Sequence, residues 1–162
     1  MTVVRRSWGG PAPVPGKGPI PCDTRHARTA HGYVTTFHET RPNAAAKPVR
    51  WAADAVATMR EGARLRLDYS AQSLWRVDRL IEEMRRDAPP YAAVERVLRG
   101  FGAYAGEVIV RQTGAEWWAS GGEHWLRTPD GRLWDPVDEA RRCFLGDGSL
   151  RLLCREAGAG SR

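Results

Sequence analysis

Two acidic residues, Asp78 and Glu107, stand on the margins of apolar helical stripes. Asp78 follows Leu74 by four positions and adjoins Val77, while Glu107 lies between Gly106 and Val108. An unpaired carboxylate buried in such a place costs several kcal/mol, so each needs solvent at the helix edge or a partner. If the two helices pack together, Asp78 and Glu107 face one cleft as general acid and base, or bind a divalent cation. Tyr104, one turn from Glu107, and Arg111, four residues beyond it, complete that candidate cleft. The structural alternative is plainer. Glu107 before Arg111 is the favourable order for an intrahelical ion pair, worth a few tenths of a kcal/mol. Asp78 would be held in an ion pair at the helix edge or N-terminus. The pattern favours this alternative, so no catalytic residue is assigned.

Four tryptophans form the second candidate group. Trp117, Trp118, Trp125 and Trp134 fall on short aromatic segments that read as neighbouring strands. Adjacent residues of a strand point to opposite faces, so Trp117 and Trp118 cannot share a core. One of them is covered by a helix or exposed, and an exposed indole is an anchor for a partner. Together the four are a candidate binding face.

Other reactive residues carry less. Cys22, His26, His31 and His38 are soft ligands in one stretch, but their irregular intervals lack the paired spacing of zinc sites. Cys143 and Cys154, with His124 as base, come without the local signature of a cysteine enzyme; buried inert thiols are the expectation. Neither a metal nor a cofactor is expected.

The chain has 162 residues, 42% hydrophobic and 27% charged, which fits one soluble domain with a core of its own. No apolar run reaches the roughly 20 residues of a membrane span. Arg5 and Arg6 are followed by Gly and Pro instead of an apolar stretch, so no secretory signal is expected. Three cysteines at irregular spacing suit reduced thiols, and the reading is cytoplasmic. A net charge of +6 and a pI near 9.8 raise nucleic-acid binding. The arginines, however, are scattered among Asp and Glu and form no patch, which argues against it.

Residues 1–48 are crowded with Gly and Pro and read as a flexible arm, with one short β-rich run at residues 32–38. A first helix is expected over residues 49–64, entered at Pro48 and left at Gly62. A second covers residues 71–87, capped by Ser70, with Leu74, Val77, Leu80, Ile81 and Met84 as its stripe. A third runs from Tyr91 to Thr113 and stops at Gly114. Gly100, Gly102 and Gly106 lie inside it, each costing about 1 kcal/mol against alanine, so close packing is expected there. Gly121-Gly122 and Pro129-Asp130-Gly131 then divide the aromatic region into a three-stranded antiparallel meander. Residues 137–145 form a short helix, residues 150–154 a last strand, and residues 157–162 a frayed tail.

The run Leu67-Asp68-Tyr69-Ser70, with Ser73-Leu74 and Val77-Asp78, is followed by Gly102-Ala103-Tyr104-Ala105-Gly106-Glu107-Val108 and Gly114-Ala115-Glu116-Trp117. With Asp135-Pro136-Val137 and Gly146, this layout resembles a small family of bacterial, mainly actinobacterial, domains of unknown function. The resemblance covers residues 65–153 and implies one α+β domain and no particular activity. The expected fold is therefore α+β: two to three amphipathic helices packed on a small antiparallel meander over residues 49–156. The expected function is a non-catalytic cytoplasmic module that binds or regulates a protein partner. The alternative is a small hydrolase-type enzyme using Asp78 and Glu107, with or without a divalent cation.

Overall fold

The computed structural model describes residues 44–160. Most of the expected arm, the β-rich run and the Cys22–His38 ligand group lie outside them. The fold is α+β. Five α-helices accompany one small antiparallel sheet among the described residues.

Helix α1 (Ala46–Gly62) begins before Pro48. Proline is tolerated there because the first N–H groups of a helix have no intrahelical acceptor. The Ser70 hydroxyl accepts from Ser73 N–H at the start of a 3-10 turn (Ala71–Ser73) that leads into α2 (Leu74–Arg86). Helix α3 (Tyr91–Thr113) is the central rod, ended by Gly114 at φ +72°, where L side chains are strained. Helices α1, α4 (Pro136–Leu145) and α5 (Leu150–Ala159) all pack on α3. Its buried face runs through Val94, Leu98, Phe101, Tyr104, Val108 and Ile109.

The three glycines of α3 mark its closest approaches. A Cβ on Gly100 would lie 3.0 Å from the Ala55 Cβ of α1. On Gly102 it would lie 2.5 Å from the Pro136 carbonyl oxygen, at the start of α4. On Gly106 it would overlap the Trp117 indole. Two helices and an aromatic ring therefore fit against one rod because glycine removes the atoms in their way.

Strands β1 (Glu116–Ser120), β2 (Glu123–Arg127) and β3 (Leu133–Trp134) form the meander in sequence order. Gly121 and Gly122, at φ +60° and +91°, make the two-residue turn between the first two. Trp117 pairs with Leu126, Trp118 with Trp125, and Leu126 with Trp134.

The C-terminal region departs from expectation. Residues 150–154 are the first half of α5, not a strand. The Ser149 hydroxyl accepts from Leu152 N–H, and Leu150, Cys154 and Ala157 recur at helical spacing on the buried side. The helix continues to Ala159 with Ala157 fully buried, so this part of the expected tail is core.

Candidate functional site

Each cleft residue is engaged by a different part of the fold. Asp78 reaches across from α2 to the N-terminus of α5. One carboxylate oxygen accepts Leu150 N–H at 2.9 Å; the other accepts the Ser149 hydroxyl at 2.7 Å and Arg151 N–H at 3.3 Å. A carboxylate here meets unpaired helix donors and the positive end of the helix dipole. Glu107 instead accepts Trp117 Nε1–H at 2.8 Å, tying β1 to α3. Among the described residues no side chain bonds to both carboxylates.

Arg111 forms no ion pair with Glu107. Its guanidinium lies over the Tyr69 ring, 3.6 Å from the centroid, a cation–π contact. Tyr104 is buried and shares no hydrogen bond with Glu107. Its hydroxyl accepts Tyr69 N–H at 2.8 Å and lies 2.6 Å from the Ser73 hydroxyl. Ser73 donates to the Ser70 carbonyl, so Tyr104 is the donor to Ser73. This chain holds Tyr69 at φ +59°, a strained backbone for a non-glycine residue. Burial pushes the Tyr104 phenol above its ordinary 10.0, so it stays neutral.

The thiols are equally committed. Cys143 donates to Asp78 at 3.8 Å, and Cys154 to Gln112 at 3.2 Å. His124 is elsewhere, edge-on against Trp51 of α1, and burial lowers its pKa. Burial and the nearby Asp78 push the Cys143 thiol from 9.0 up to about 12, and burial pushes Cys154 up to about 11. A thiol this hard to ionise is a poor nucleophile. Neither Cys143 nor Cys154 is expected to be alkylated in the folded protein at mildly alkaline pH, read by peptide mass. Both react once it is unfolded. Because the folded values are raised, the thiol contribution to stability is whole below pH 9.0 and falls as pH rises toward about 12. Alanine at Cys143 should flatten that alkaline loss; native-state labelling would refute the assignment.

The four tryptophans divide by strand alternation. Trp117 faces inward, 8% exposed, over Gly106. Trp134, half-buried, donates its Nε1–H to the Thr128 hydroxyl at 3.1 Å, under the Arg132 guanidinium. Trp118 and Trp125 face outward as a cross-strand pair, 41% and 40% exposed. Leu133, paired with Arg127, shares their side and is 50% exposed. Arg127 lies over the Trp118 ring at 5.2 Å. The outer face is thus an apolar patch of Trp118, Trp125 and Leu133, framed by Arg127, Glu116 and Glu123. Leu133, Arg127 and Glu123 are not among the residues singled out from the sequence; the two-residue period puts Arg127 and Glu123 on the side of Trp125, and the β2–β3 register adds Leu133.

The charge of the chain is unevenly placed. Residues 44–160 contain 18 Lys and Arg against 17 Asp and Glu, so this part is nearly neutral. Among the described residues, no three His, Cys, Asp or Glu side chains gather to hold a metal ion, and no helix is long and apolar enough to cross a membrane. No family model, curated protein or solved structure matches the chain.

Proposed function

We propose that this protein is a non-catalytic cytoplasmic module that works by protein contact through the outer face of its sheet. The observation that supports this is the exposed Trp118–Trp125 pair with Leu133 beside it and Arg127 stacked on it. Aromatic residues and arginine are the side chains most enriched where proteins bind. Among the described residues this pair is exposed while Trp117 of the same strand is buried. Asp78, Tyr104 and Glu107 support the same reading from the other side. Their polar atoms hold α5, the turn at Tyr69 and the hairpin in place, and no observation favours a hydrolytic role. The even charge of residues 44–160 does not favour nucleic acid. Free thiols at Cys143 and Cys154 suit a reducing compartment. The resemblance to bacterial α+β domains is part of the same proposal.

The test is capture from native lysate with the folded protein as bait. Alanine at Trp118 or Trp125 is expected to abolish capture without lowering the melting temperature. Alanine at Trp75, 41% exposed on α2, is expected to leave it unchanged. Equal capture by all three variants would overturn the proposal.

A further inference from the structure

Strand register lays the outer face out in rows. Glu116 and Arg127 are opposite at one end, Trp118 and Trp125 in the middle, and Ser120 and Glu123 next to the turn. Among the described residues neither Arg127 nor Glu123 has an ion-pair partner. Arg127 is spread over Trp118 and does not bond to Glu116 opposite it. The face therefore has a cation at one end of β2, a carboxylate at the other, and an aromatic row between them.

We infer that the occupant of this face is a second copy of the same chain, related by a two-fold axis across the strands through the tryptophan row. This rests on the protein-contact reading above and names its partner. Such an axis keeps each strand over its own copy and reverses its direction. Trp118 then meets Trp118 and Trp125 meets Trp125. Arg127 meets Glu123 of the other copy, and Glu116 meets Ser120, each contact occurring twice, as a closed two-fold interface requires. One arrangement thus covers the apolar row and supplies partners to both ends of β2. An axis along β2 would instead place Arg127 on Arg127 and Glu123 on Glu123, and an axis between β1 and β2 would place Arg127 on Glu116 but leave Glu123 opposite only Ser120. The face is only three residue pairs long, short of the area that permanent dimers bury, so the association is reversible.

Sedimentation velocity over a wide concentration range tests this on the full chain. The wild type is expected to move from monomer to dimer as concentration rises. Trp118→Ala, Arg127→Glu and Glu123→Arg should each weaken dimerisation at least about tenfold, because every change acts twice across the axis. Mixing Arg127→Glu with Glu123→Arg should restore a dimer, since both cross-axis pairs again have opposite sign. The double variant should restore it alone. Arg127 also touches Trp118, so Arg127→Glu is checked by its melting temperature. Glu123→Arg, on an exposed side chain, carries the test if that variant unfolds. A wild type that stays monomeric throughout overturns the inference, as does a mixture that fails to associate. If that monomer still loses its captured protein on Trp118→Ala, self-association fails while the protein-contact reading stands.

Discussion

Alanine at Gly102 is expected to destabilise the domain by about 3 kcal/mol, the upper end of what overpacking costs. Helix propensity alone would favour the substitution by about 1 kcal/mol. The new Cβ, however, would lie 2.5 Å from the Pro136 carbonyl oxygen and 2.6 Å from the Val137 Cα. Both are backbone atoms, so no side-chain rotation relieves the overlap. Helix α4 must move away from α3, taking Ala140 and Phe144 out of the core. Domains are stable by only about 5–15 kcal/mol, so the loss is a large share of the total. Gly106→Ala should act similarly by displacing the Trp117 indole and its bond to Glu107. Gly62→Ala is the control, because nothing lies within 4 Å of its added carbon. Urea unfolding followed by circular dichroism measures all three. A Gly102→Ala midpoint equal to that of the wild type would refute the packing of α4 on α3.

Removing the carboxylate in Asp78→Ala is expected to cost a comparable 3 to 4 kcal/mol and to release α5. Hydrogen bonds to a charged group contribute about 1.5–3 kcal/mol each, and water recovers part of what is lost. Asp78 serves the Ser149 hydroxyl and the N–H groups of Leu150 and Arg151 together. Without it, all three donors at this helix start lose their acceptor. Asp78→Asn keeps an acceptor but not the charge that suits a helix N-terminus, and should lose about half as much. Limited trypsin digestion gives the local readout, with cleavage at Arg151 and Arg155 rising before global unfolding. Unchanged protection at both arginines would refute the cap.

Local features were the legible ones. The span of α3, its stop at Gly114 and the Gly121-Gly122 turn follow from spacing and from residues that tolerate positive φ. The run from Leu150 to Cys154 reads as a strand in the sequence because five residues are too few to separate the two periods. What makes it a helix is its cap on Asp78, supplied by a distant part of the chain. Asp78 and Glu107 showed from their stripes that they needed partners. Which partners, an α5 terminus and an indole, is tertiary information. Alternation required Trp117 and Trp118 to part, and the choice of which went inward was set by the space over Gly106. The outer face was half legible: the aromatic pair stood out, while Arg127 and Glu123 gained meaning only from the register.

The Asp78 cap also sets an order of events during synthesis. Leu150 follows Asp78 by 72 residues, so at roughly 5–20 residues per second the carboxylate is made several seconds before its donors exist. During that interval α2 is available, but the surface it shares with α5 has no lid. Leu74, Val77 and Ile81 of α2, all fully buried in the finished fold, have to wait in part for the last helix to be translated. A nascent chain stalled before Ser149 therefore presents this apolar stripe to chaperones and proteases, and its survival depends on how quickly translation resumes.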